Sequence, residues 1–148
     1  MSRQRGLFLG FDFGEKRIGV AVGQVVTRTA RGLETLSRRG GGISWQEVTR
    51  LMEQWQPEAV VVGLPLHLDG TPFDFTKRAR RFGNQLSGRY NLPVHFEDER
   101  LTSDAAEQDL RAAGNYTKGD IDQRSAEIIL EGWLNRHYEE ANDSIGPE

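Results

Sequence analysis

The chain has no cysteine among its 148 residues. That excludes disulfides, thiolate metal sites and cysteine nucleophiles, and leaves carboxylate, histidine and hydroxyl chemistry. No apolar run is long enough to span a bilayer, so no membrane role is expected. Neither sign of charge dominates, because 19 Lys and Arg stand against 22 Asp and Glu for a formal net charge of −3. Nothing therefore pushes the whole molecule toward nucleic acid or anionic lipid, and a nucleic-acid ligand would need a local basic surface. The basic start Met1-Ser2-Arg3-Gln4-Arg5 precedes an apolar segment broken by Asp12 and Glu15. That makes a poor signal peptide, and the expectation is a cytoplasmic protein. Internal repeats and low-complexity tracts are also missing.

What is present is the composition of one ordinary domain, 36% hydrophobic and 28% charged, able to bury a real core. We expect that domain over 1–141 and a disordered polar tail over 142–148. The organising stretch is Gly10-Phe11-Asp12-Phe13-Gly14. Read as a strand, it points Leu7, Leu9, Phe11 and Phe13 one way and Gly10, Asp12 and Gly14 the other. Bare neighbours let a metal ion, a phosphate or a backbone approach the acid. The bland alternative is a turn-capping aspartate, since Gly14-Glu15-Lys16 is good turn sequence.

Arg17 to Gly23 alternates again and reads as a hairpin partner whose small face continues the bare face around Asp12. A third extended piece covers Thr27 to Leu36, and Gly40-Gly41-Gly42 reads as a flexible loop. Ser44-Trp45-Gln46-Glu47 has a capping-box pattern, followed at helical spacing by Val48, Leu51, Met52 and Trp55. Ala59 to Leu64 is all apolar, as a central parallel strand covered on both sides should be. Thr71-Pro72 is expected to start a second helix running to about Tyr90, with Phe75, Phe82 and Leu86 toward the core. Pro93 to Glu97 is a further strand. Thr102-Ser103 can cap a helix over Asp104 to Ala113 that Gly114 stops, and the last helix is expected from Asp120 to about Glu140. The order predicts an α/β fold, a mixed five-stranded sheet made of an antiparallel three-strand meander and then alternating helix and strand.

Further acids compete for a role beside Asp12. Asp122 falls on the apolar stripe of the last helix, marked by Ser125, Ala126, Ile129, Leu130 and Trp133, and a carboxylate facing a core needs a partner or a cation. A helix-dipole contact in the first turn is the plainer explanation. Asp120 reads as the cap, with Gln123 completing its box. In Glu97-Asp98-Glu99-Arg100, alternation puts Glu97 and Glu99 on one face and leaves open which of them points inward. A solvated strand end is the plain reading there. Acids converging from separate elements are what an oxygen-ligated divalent ion requires.

Taken together, Gly10-Phe11-Asp12-Phe13-Gly14 with Lys16-Arg17-Ile18-Gly19-Val20-Ala21, Val62-Gly63-Leu64-Pro65-Leu66 with Asp69-Gly70-Thr71, Asp98-Glu99-Arg100-Leu101-Thr102, and Asp122 with Ile128-Ile129-Leu130 resemble the YqgF family. Those motifs run in order from about Leu7 to Trp133. The resemblance implies an RNase H-like fold similar to that of the RuvC Holliday junction resolvases, and nuclease activity that matures the 5′ end of pre-16S ribosomal RNA. It puts the family's three acids on Asp12, Glu99 and Asp122, which settles Glu99 over Glu97. Ser125, Ser103 and His67 depart from the family's usual residues without removing a ligand.

Three such carboxylates could hold two Mg2+ or Mn2+ ions about 3.5–4 Å apart, a spacing suited to in-line displacement at phosphorus. Lys16, Arg17 and Arg100 border the acids and are candidates for backbone phosphate contacts, and His67 for orienting a phosphate or water. Lys77, Arg78, Arg80 and Arg81 form a denser run that reads either as a solvated helix face or as a track for a nucleic-acid strand. His95, His137 and the tryptophans Trp45, Trp55 and Trp133 are expected to pack rather than ligate or stack bases. The expected partner is nucleic acid, precursor rRNA or branched DNA, for a monomer or homodimer. An actin-like phosphotransferase would need a duplicated domain that this length does not hold. A non-catalytic RNA-binding or regulatory module would not need all three acids.

Overall fold

The computed structural model describes residues 3–67, 69–72, 74–98, 112, 114 and 117–137. Five strands form one sheet in the order β3-β2-β1-β4-β5, with β1 over Gln4–Phe13, β2 over Arg17–Gln24, β3 over Thr29–Ser37, β4 over Pro57–Leu64 and β5 over Val94–Asp98. The meander β1-β2-β3 is antiparallel, while β1, β4 and β5 run parallel. Helices α1 (Trp45–Trp55), α2 (Asp74–Tyr90) and α3 (Lys118–Arg136) accompany it. The expected α/β architecture is the observed one.

The alternation of β1 divides the core between the faces of the sheet. Leu7, Leu9, Phe11 and Phe13 join Val48, Leu51, Met52, Phe82 and Leu86 of α1 and α2. Phe8 faces the other way, with Ala21, Ala59, Val61 and the α3 residues Ala126, Ile129, Leu130, Trp133 and Leu134. Ile129, Leu130 and Leu134 are buried to 2% exposure or less. Each such side chain contributes roughly 1.5–3 kcal/mol, against 0–1 for an exposed ion pair such as Arg50–Glu34, so apolar burial docks α3. The helix can lie that close because the strands beneath it are nearly bare. A Cβ on Gly10 would stand 2.8 Å from the Leu130 Cβ.

Several boundaries differ from expectation, each for a local reason. The second helix starts at Asp74 rather than at Thr71-Pro72. Asp69 accepts hydrogen bonds from the Thr71 amide (2.9 Å) and hydroxyl (2.7 Å), and Pro72 bridges to Leu66, so Thr71 closes a loop instead of capping a helix. The last helix is capped by Thr117, not Asp120. The Thr117 hydroxyl accepts from the Asp120 amide and the Asp120 carboxylate accepts from the Thr117 amide, which makes Asp120 the third helical residue of a complete capping box. The glycine run expected as a flexible loop contains a 3-10 turn over Arg39–Gly41, and β3 is set at Thr29–Ser37. Ser44 caps α1 as expected, its side chain accepting from the Glu47 amide. The helix expected over Asp104 to Ala113 and the tail 142–148 lie outside the described residues.

Candidate active site

Asp12 sits near the carboxyl end of β1 on the face that α3 covers, and it is 9% exposed. A carboxylate held there loses most of its water, so its charge must be met by hydrogen bonds or cations. Across the ladder it stands opposite Gly19 of β2. Gly19 in turn lies directly beneath Asp122, since a Cβ built there would come within 2.0 Å of the Asp122 carbonyl oxygen and 3.0 Å of its Cβ. One glycine thus joins the two aspartates: it is the ladder partner of the first and the floor under the second. The carboxyl ends of β1, β4 and β5 share this edge of the sheet, with Phe11 level with Val62 and Leu64 level with Asp98. Crevices at such edges are where open sheets with parallel strands bind ligands.

Asp122 is placed by the Thr117–Asp120 capping box, which fixes the first turn, and by the apolar stripe from Ser125 onward, which fixes the rotation of the helix. Its Oδ2 accepts a hydrogen bond from Arg17 Nε at 2.5 Å. The dipole contact offered as the plain reading of Asp122 therefore gives way to a charge-assisted hydrogen bond with a partly buried guanidinium. Thr117→Ala is expected to destabilise the protein by about 1 kcal/mol. The same change should speed amide exchange in the first turn of α3. Urea denaturation with hydrogen exchange checks both, and unchanged exchange would show that the turn is held without its cap.

Glu97 is brought to the inner face by the strand β5. It points inward, 5% exposed, and forms an ion pair with Arg136 from the last turn of α3, whereas Asp98 is exposed on the other side. Because Phe11 is level with Val62, Asp12 is level with Gly63, and Gly63 pairs with Glu97. Asp12 and Glu97 thus lie in one row on one face with a glycine between them. Glu99 and Arg100 lie outside the described residues. Among the described residues no group of three acids or histidines forms a metal cage.

Lys16 is exposed on the β1–β2 turn, and His67 is exposed where the chain leaves β4. The His67 amide donates to the Thr71 carbonyl and its own carbonyl accepts from Gly70, which closes a tight loop. His95 and His137 stack on Trp133 with ring centroids at 4.6 and 4.8 Å, a packing role as expected.

One residue that sequence reasoning missed is Arg38. Its guanidinium donates to the carbonyls of Gly14 (2.7 Å), Gly42 (3.2 Å) and Gly41, and lies 4.3 Å from the Phe13 ring centroid. It pins the turn after Asp12 to the turn after β3. Burial, and next the nearby charge of Arg78, hold Arg38 below the usual arginine value, with Glu15 partly offsetting them. No local signal marked it, because its partner Gly14 is 24 residues away.

The family model described as "RuvX: Holliday junction resolvase" matches residues 6–136. A Pseudomonas putida protein described as "Putative pre-16S rRNA nuclease" is 48% identical over 132 residues, covering 86% of this chain and 94% of its own length. A relative from Aeromonas salmonicida with the same description is 46% identical over 133 residues, covering 88% and 95%. Among solved structures, Thermus thermophilus RuvC in complex with Holliday junction substrate superposes with a TM-score of 0.55 at 17% identity, covering 90% of this chain and 96% of that one. The yeast mitochondrial Holliday junction resolvase Ydc2 gives a TM-score of 0.51 at 10% identity, covering 97% and 85%. At those identities the likeness is one of fold.

Proposed function

The chain belongs to the RuvX family, whose model is described as Holliday junction resolvase, and from that premise we propose that it is a metal-dependent nuclease processing the 5′ end of precursor 16S rRNA. The substrate follows the description carried by relatives at 46–48% identity. The observation that supports the chemistry is that Gly19 is the ladder partner of Asp12 and also lies against Asp122.

The donor set fits hard divalent cations. Its groups are carboxylates, no thiolate exists in the chain, and among the described residues the cation touching Asp122 is an arginine that a bound ion would replace or supplement. Asp12, Glu99 and Asp122 would hold Mg2+ or Mn2+, two ions in the fullest form of this reading. When bound, such ions supply charge stabilisation at a phosphodiester undergoing in-line hydrolysis.

The protein's own groups do the remaining work. Arg17 holds Asp122 in place through its charge-assisted hydrogen bond. Lys16, exposed on the turn after Asp12, offers an ammonium to a backbone phosphate, and His67 and, by its place in the sequence, Arg100 are the further candidate contacts. Such contacts orient the scissile bond, and orientation alone can lower a barrier by several kcal/mol.

The description of the family favours a second reading, symmetric cutting of four-way DNA junctions, which would require two sites in a dimer. A cleavage panel separates the two. Given Mn2+ or Mg2+, the protein is expected to shorten the 5′ leader of a precursor 16S transcript and to stop when the metal is chelated. Junction cutting with the leader untouched would transfer the activity to the second reading. Failure on both substrates with metal present would refute the hydrolase.

A further inference from the structure

We propose that Lys77, Arg78 and Arg81 on the outward stripe of α2, continued by Arg38 at the β1–β2 turn, form the track along which the phosphodiester backbone of a nucleic-acid strand reaches Asp12. The proposal rests on the nuclease reading and names the surface through which that site is fed.

At roughly 100° per residue, Lys77, Arg78 and Arg81 fall within about a quarter to a third of the helix circumference. That stripe is opposite the buried Ala79, Phe82 and Leu86, and all three side chains are exposed. Arg80 falls outside it, lying 5.1 Å from the Phe96 ring centroid. The sequence of α2 contains five Lys and Arg but a single acid, Asp74.

The arginines of α1 and α3 are matched by acids, although among the described residues Lys118 at the start of α3 is not. Arg124 of α3 pairs with Glu127 at 2.6 Å and approaches Glu131, and Arg50 of α1 pairs with Glu34 at 2.5 Å. No carboxylate among the described residues pairs with Lys77, Arg78 or Arg81. An ordinary solvated helix face gains from mixing its signs, and this one does not.

The geometry at the inner end points to an anion. Arg38 is fixed in place, because three backbone carbonyls and the Phe13 ring hold it. A guanidinium held in this way can meet a phosphate with charge-assisted hydrogen bonds at little further cost in side-chain freedom. Arg38 is bonded to the carbonyl of Gly14, two residues beyond Asp12. The track therefore ends at the turn that follows the candidate catalytic acid.

The test measures binding of single-stranded precursor leader RNA, with a chelator present, across a salt series. Each phosphate contact on a single strand contributes about 0.7 to the slope of log affinity against log salt. The K77A/R78A/R81A variant is expected to lower the slope by about 2 relative to the native protein, with an unchanged melting temperature because the side chains are exposed. Arg80→Ala should change the slope by less than half a unit. Equal slopes for the native and triple-variant proteins would overturn the track, as would an equal loss from Arg80→Ala alone. A lowered slope in a protein that cuts neither substrate of the cleavage panel would sink the nuclease while keeping the track.

Discussion

Asp12→Asn is expected to lower metal-dependent cleavage by about 10³-fold or more, the upper range for losing one preorganised electrostatic group. The exchange is nearly isosteric, so its main effect is on charge. Asn keeps an oxygen acceptor but loses the negative charge a divalent ion needs from a hard ligand. Folding should survive the exchange, because Asn keeps the size of the buried side chain and one oxygen acceptor. Nucleic-acid binding should survive as well, because the cations proposed to hold the backbone lie on the β1–β2 turn and on α2. Turnover by a carefully purified Asp12→Asn protein that matched the native protein would remove Asp12 from the chemistry, leaving family and fold as they are.

Much of this was legible in the sequence wherever a periodicity had only one outlet. The alternation in β1 and β2 predicted both faces of the sheet correctly, because a one-residue slip would have set glycines against α1 and α2 and driven four large side chains into the close crossing with α3. The stripe Ser125, Ala126, Ile129, Leu130 and Trp133 called the rotation of α3 for the same reason. Caps were less secure. Thr71 and Asp120 carry side chains that serve a cap, a loop or the third position of a box equally well, and the choice depends on which neighbouring amide is left open. Here Asp69 claims Thr71, and Thr117 claims Asp120. Long-range pairs were not legible at all. Arg17 to Asp122 spans 105 residues and Arg38 to Gly14 spans 24, and nothing local announces either. Glu97 is a mixed case: alternation gave it a face, but only the docked end of α3 and its Arg136 showed that face to be the inner one.

Gly19→Ala should do more damage than its single methyl group suggests. The added Cβ would stand 2.0 Å from the Asp122 carbonyl oxygen and 2.4 Å from its carbonyl carbon, both backbone atoms that no rotamer change can move. Either β2 sinks or the first turn of α3 lifts. Overpacking of this kind costs about 1–3 kcal/mol, occasionally more. For a chain of this length that corresponds to a fall of roughly 2–12 °C in melting temperature. Activity should fall further than stability does, because the turn that lifts carries Asp122 and the strand that sinks is the ladder partner of Asp12. Gly10→Ala provides the comparison. Its Cβ would meet the Leu130 Cβ at 2.8 Å and the Ala126 carbonyl at 3.2 Å, pushing on the same helix two turns farther from the acids. The two variants should lose comparable stability, but at a temperature where both remain folded Gly19→Ala should be at least about tenfold less active, a difference of about 1.4 kcal/mol in barrier. Equal activity in the pair would mean that the spacing between β2 and the start of α3 has no bearing on catalysis, and that Asp122 does not act from the place where the Gly19 crossing holds it.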